Sequence, residues 1–106
     1  MKLIIDNKSI PIKKCISFKD KLFGLMFKKN INYGICLKRC SSIHTFFMKE
    51  KIDVIMTDKN YKVIYVYNNI KPYRIILPKK KVYYTFELPS NTNTYEINDI
   101  LKIDNH

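Results

Sequence analysis

Cys40, His44 and Asp53 are the residues of this chain best equipped for covalent chemistry. A thiol, an imidazole and a carboxylate can act as nucleophile, general base and orienting group. They fall in the run Cys40-Ser41-Ser42-Ile43-His44-Thr45-Phe46-Phe47-Met48 and in the segment Ile52-Asp53-Val54-Ile55-Met56-Thr57-Asp58 that follows it. Acyl transfer also needs donors for a developing oxyanion. A glycine-rich turn to supply them is missing, because Gly24 and Gly34 are the two glycines of the chain. The other chemistry is metal binding. Cys36, Cys40 and His44 recur every four residues, which on a helix would line one face for zinc. The residues around them are β-branched and aromatic, which favours a strand, and no fourth ligand is evident. The expectation is therefore no catalytic residue, no metal and no cofactor, with Cys36 a small buried apolar group and Cys40 a packed loop thiol.

The same side chains have a structural reading. The two ring nitrogens of His44, beside Thr45, can satisfy buried backbone groups. Asp53 opens an apolar strand, so burial requires that its carboxylate be hydrogen-bonded. His44, Thr45 and Arg74 are its expected partners. This group would floor a ligand cleft, which makes His44, Thr45, Phe47, Met48, Asp53 and Arg74 the candidate ligand-binding residues.

The elements that position them are mostly strands. Lys2 to Ile5 reads as a strand, Asp6-Asn7-Lys8 as a turn, and Ile10 to Ile16 as a second strand. Pro11 lacks an N–H, so an edge position or strand start is expected there. Ser17 is a plausible N-cap, and Phe18, Leu22, Leu25 and Met26 recur at helical spacing, which predicts one main helix over about Phe18–Phe27. Further strands are predicted at Gly34 to Leu37, Tyr73 to Leu77, Val82 to Leu88 and Ile100 to Ile103. Ile52 to Met56 and Lys62 to Tyr67 read as a hairpin around Asp58-Lys59-Asn60, and Thr94 to Ile97 as a helical turn. The sum is a β-rich α+β fold: a small antiparallel β-barrel, or a strongly curved sheet with the helix on one face.

The 106 residues suit one domain, and 46% hydrophobic residues exclude a disordered chain. No apolar run approaches the length of a membrane span, and none at the N-terminus reads as a signal peptide, so a cytoplasmic location is expected. Three cysteines in such a chain favour free thiols over a disulfide framework. The net charge is +11. Of the 20 basic residues only Arg39 and Arg74 are arginine, the side chain that nucleic-acid sites favour. The charge is read mainly as a bias toward lysine, with weak, salt-sensitive binding to polyanions as its consequence. Lys79-Lys80-Lys81 followed by Tyr83 and Tyr84 keeps a single-stranded nucleic-acid surface open.

Five short elements carry a resemblance: Gly24-Leu25-Met26-Phe27, the Cys40 to Met48 run, Ile52-Asp53-Val54-Ile55 with Asp58 opening the next turn, Pro72-Tyr73-Arg74, and Glu87-Leu88-Pro89. In this order the chain resembles the bacterial and archaeal family known as domain of unknown function 192. Relatives commonly have Gly where this chain has Phe47, Pro where it has Lys51, and a Gly after the Glu-Leu-Pro run where it has Ser90. The resemblance implies a compact barrel-like fold and no reaction. Some relatives are encoded among envelope and pilus-type genes, which implies an accessory role.

Three functional readings follow. The first is a non-enzymatic binding or accessory domain that holds a protein or small ligand around His44, Phe47 and Arg74. The alternatives are a nucleic-acid-binding barrel using the Lys-rich face, and a hydrolase-like enzyme using Cys40 and His44.

Overall fold

The computed structural model describes residues 1–15, 25, 29, 31–39, 42–46 and 48–105. Among these residues nine strands follow in chain order: β1 (Lys2–Ile5), β2 (Lys8–Cys15), β3 (Gly34–Lys38), β4 (Ile43–His44), β5 (Ile52–Thr57), β6 (Val63–Ile70), β7 (Ile75–Ile76), β8 (Tyr84–Pro89) and β9 (Lys102–Asp104). Seven form one sheet in the order β6-β5-β8-β3-β2-β1-β9, and β4 and β7 form a separate ribbon.

Local chemistry explains the first hairpin. Ile5 pairs with Lys8, so Asp6 and Asn7 form a two-residue loop, with φ of 49° and 67°. Both lie in the left-handed region that such loops need and that Asp and Asn tolerate. The β5–β6 hairpin turns on Asp58, whose Oδ1 accepts the N–H groups of Asn60 at 2.8 Å and Lys62 at 3.0 Å.

Hydrogen bonds draw the two ends of the sheet order together. The Val63 N–H donates to the Asp99 carbonyl at 2.8 Å, and the Leu101 N–H to the Tyr61 carbonyl at 3.0 Å. The sheet therefore curls into a half-barrel. One apolar cluster, with Leu3, Ile12, Cys36, Ile55, Val63, Phe86 and Leu88, draws on the strands of this sheet and fills the inside of the curl. Gly34 belongs at this tight interior: a Cβ there would stand 2.7 Å from Ile12 and Leu88 side-chain carbons and 2.9 Å from the Glu87 carbonyl oxygen. A second cluster lies on the outer face, where Ile35, Leu37, Val54 and Met56 are covered by Leu25, Ile43, Met48 and Ile76. Strand alternation divides the two clusters, because Cys36 and Ile55 point inward between neighbours that point outward.

Several expectations need correction. The predicted helix over Phe18–Phe27 lies outside the described residues except for Leu25, which is buried against the outer face, and the described residues contain no helix. The sheet is not wholly antiparallel, since β2 and β3 run parallel. Pro11 is not on an edge strand. It faces Lys2 of β1, and the ladder with β3 begins one residue later at Ile12, so the missing N–H breaks no ladder bond there. Residues 94–96 are irregular rather than helical, because Glu96 N–H donates to the Asp99 side chain at 2.8 Å and the chain turns at Ile97-Asn98. The last strand starts at Lys102, after a single bridge between Lys62 and Ile100.

Candidate functional site

Asp53 is buried at one end of the curl, opposite Leu88. Its Oδ1 accepts the Asn69 N–H at 2.8 Å, and its Oδ2 accepts those of Thr92 at 3.0 Å and Asn93 at 2.9 Å. The carboxylate is hydrogen-bonded, as burial demands, but to backbone amides and not to His44, Thr45 or Arg74. It ties the end of β6 and the loop after β8 to β5. Three N–H donors and no proton acceptor make it an anchor for loops.

Thr45 does the same for the ribbon. Its hydroxyl donates to the Lys71 carbonyl at 2.7 Å and accepts the Arg74 N–H at 2.7 Å, while its backbone N–H donates to the Arg74 carbonyl at 2.8 Å. The Tyr73 N–H donates to the Thr45 carbonyl at 3.0 Å, and Tyr73 is held at a φ of 62°. Met48 is buried in the outer cluster. Of the six expected ligand-binding residues, Thr45 meets the Arg74 backbone through its hydroxyl and its own backbone and accepts the Met48 N–H on its carbonyl at 3.2 Å, Met48 is buried with Ile43 and Ile76 under the ribbon, Asp53 is buried apart from them, and Phe47 lies outside the described residues.

His44 pairs with Ile75 across the ribbon, while Ile43 and Ile76 form the buried pair beneath. Its Nδ1 accepts the Phe46 N–H at 3.3 Å, and its ring stacks on Phe46 with centroids 5.4 Å apart. Phe46 in turn meets Tyr73 at 6.2 Å. The outward face of the ribbon is thus His44, Phe46, Tyr73 and Ile75, continued by Leu77. Among the described residues, Phe46, Tyr73, Ile75 and Leu77 are four of the six exposed large hydrophobics. Lys71 and Arg74 are exposed on the same turn.

Among the described residues, no members of the catalytic or metal sets are brought together. No hydrogen bond joins His44 to Asp53 among the described residues, and Cys40 lies outside them. Cys36 sits inside the curl, on a different layer from His44, and the described residues hold no cluster of three potential metal ligands. Burial pushes the Cys36 thiol up to about 12, with Cys15 adding to the rise and Lys14 opposing it, so it is a neutral thiol at neutral pH.

A second feature escaped the sequence reading. At the end of the curl away from Asp53, a cavity of about 470 Å³ is lined by Lys14, Cys36, Lys38, Arg39, Tyr61 and Tyr84, together with Met1 and Cys15. Lys14 pairs with Cys36 and Lys38 with Tyr84 in the ladders, so these residues share the inner face. Tyr61 stacks on Tyr84 at 4.7 Å and 14°. Cations from different segments face the tyrosines nearby. Lys38 and Arg39 lie over the Tyr83 ring, each at 5.6 Å, whereas Lys79 of the Lys79-Lys80-Lys81 run lies over Tyr65 at 6.0 Å. The Arg39 hydrogen bond lowers the Tyr83 phenol below its usual value.

The family model for DUF192, described as Uncharacterized ACR, matches residues 1–99. The chain belongs to this family. A UPF0127 protein of Pyrococcus horikoshii is 42% identical over 79 residues, covering 69% of this chain and 67% of that protein. A UPF0127 protein of Thermococcus kodakarensis is 33% identical over 84 residues, 74% of this chain and 53% of that protein. The chain thus spans about half to two thirds of the length of these archaeal relatives. A solved structure from Sinorhizobium meliloti, described as a candidate transcription regulator, superposes with a TM-score of 0.80 at 16% identity, covering 95% of this chain and 89% of that one. One of unknown function from Novosphingobium aromaticivorans gives 0.67 at 13%, covering 85% and 71%. These two share the fold of this DUF192 chain. No helix among its described residues is long and apolar enough to cross a membrane.

Proposed function

We propose that this DUF192 chain is a non-enzymatic accessory domain that docks a protein partner on the outward face of the β4–β7 ribbon. One observation carries the reading: Phe46, Tyr73, Ile75 and Leu77 are exposed together on one small ribbon, while the Asp53 carboxylate is taken up by three backbone amides and His44 Nδ1 accepts a fourth, from Phe46. Large apolar side chains gathered in one exposed place mark interaction surfaces more often than single ones do. The ribbon is also anchored from below by Ile43, Ile76 and Thr45, so the surface is pre-shaped and little ordering cost attends binding. Lys71 and Arg74 flank it, and the chain carries +11 overall. The partner that fits is a protein segment with apolar side chains bordered by carboxylates.

A photo-crosslinking residue at position 75, compared with one at the exposed Lys59, tests this. Crosslinking to one partner from position 75 alone is expected. The partner, once purified, should lose on the order of tenfold affinity or more for Tyr73→Ala. Equal crosslinking from both positions, or crosslinking only to a second copy of the chain, would overturn the reading.

A further inference from the structure

We propose that the open end of the half-barrel binds a small planar anion: an aromatic ring bearing one phosphate, its ring against the Tyr61–Tyr84 pair and its phosphate among Lys14, Lys38 and Arg39. The cavity there, about 470 Å³, lies within the range of about 300–1,000 Å³ typical of small-molecule sites. Among the described residues its lining holds three cationic side chains and no carboxylate, which matches a dianionic group. The apolar part of the lining is flat. Two phenol rings lie 4.7 Å apart and nearly parallel, and Phe86 approaches Tyr61 at 6.4 Å behind them. Paired rings of this kind accept a further planar π-system by stacking.

Tyr61 is placed there at a cost. Its φ of 63° puts an aromatic residue in the left-handed region, which costs on its own and persists only where surroundings impose it. Asp58 imposes it: its side chain takes the N–H groups of Asn60 and Lys62, and its carbonyl accepts the Tyr61 N–H at 3.2 Å. The hairpin turn thus presents a ring to the cavity that an ordinary turn would direct elsewhere. The floor is Cys36, whose buried thiol is uncharged, so the site binds without reacting. Lys38 and Arg39 also lie over the Tyr83 ring, each at 5.6 Å, so these cations stand at the rim between that phenol and the cavity.

Isothermal titration at low and moderate salt tests the proposal, with AMP and flavin mononucleotide as probes. Adenosine, riboflavin and inorganic phosphate are the controls. Saturable binding of at least one monophosphate below about 1 mM is expected, with the neutral and ring-free controls markedly weaker. Tyr61→Leu should weaken it roughly tenfold, and Lys38→Gln several-fold with a shallower salt dependence. Lys38 is exposed, so that variant reports on binding even if Tyr61→Leu fails to fold. Ile75→Ser on the ribbon should change nothing here, which separates this site from the docking surface. No saturable binding up to about 5 mM, or binding indifferent to both variants, would overturn the proposal. So would inorganic phosphate binding as tightly as the nucleotides, or a single-stranded oligonucleotide binding about a hundredfold more tightly than its mononucleotide, which would assign the rim to a strand instead.

Discussion

Glu87 offers the sharpest test of the packing described above. It pairs with Ile35 on one side and Val54 on the other, and so faces the outer apolar cluster. Along its own strand Thr85 and Pro89 share that face, and Leu37, Ile52 and Met56 on the neighbouring strands surround it, with Tyr33 just before β3. None of the described residues gives its carboxyl a charge partner. Burial pushes Glu87 from 4.5 up to about 7. The folded chain therefore holds a proton on Glu87 that the unfolded chain has already lost between those two values. Stability from this residue is fully present below about pH 4.5, falls as pH rises, and is gone above about pH 7. At 1.36 kcal/mol for each pH unit, the loss is about 3 kcal/mol. Glu87→Gln keeps the shape and removes the titration. Urea unfolding followed by far-UV circular dichroism from pH 4.5 to 8 should show the variant gaining about 3 kcal/mol on the parent across that window. An identical pH slope in both proteins would refute the placement of Glu87 in a dry outer layer.

Other consequences can be checked alongside. Asp53→Ala should cost about 3 kcal/mol or more in urea unfolding, because it strands three backbone donors at the closed end of the curl, and the Asn69, Thr92 and Asn93 amides should lose hydrogen-exchange protection. Asn7→Val should cost about 1–2 kcal/mol through its left-handed φ, while Asn7→Gly should be close to neutral. Mass-spectrometric mapping of iodoacetamide labelling at pH 8 should find Cys36 unmodified in the native state, with labelling that tracks unfolding; rapid native labelling would contradict its neutral, buried thiol.

Much of the strand framework was legible from local pattern. Lys2–Ile5 and its Asp6-Asn7 loop, and the β5–β6 hairpin around Asp58, rest on alternation and turn chemistry that neighbouring residues determine. The parallel β2–β3 pairing was not, because strand partners far apart in sequence leave no local trace. Nor was β4, whose two residues are shorter than any period. A buried carboxylate at Asp53 implies hydrogen-bond partners, but the nearby polar side chains point to His44, Thr45 and Arg74, whereas the fold supplies backbone amides. The amides that Asp53 holds lie 16, 39 and 40 residues away, and backbone N–H groups carry no sequence signature. The ribbon face joins Phe46 to Tyr73 and His44 to Ile75, and the open cavity joins Tyr61 to Tyr84, contacts that only the tertiary fold creates.

On the proposed reading the ribbon's outward side chains serve recognition, whereas Thr45 beneath them and Asp53 at the end of the curl serve folding. The most direct measurement is a titration of the crosslinked, purified partner against the parent chain and its Phe46→Ser/Ile75→Ser variant, with the urea midpoint of each recorded on the same samples. An affinity loss of about tenfold or more is expected, with a midpoint change worth no more than about 0.5 kcal/mol per exposed site. Unchanged affinity, or a variant that unfolds several kcal/mol more easily, would contradict it.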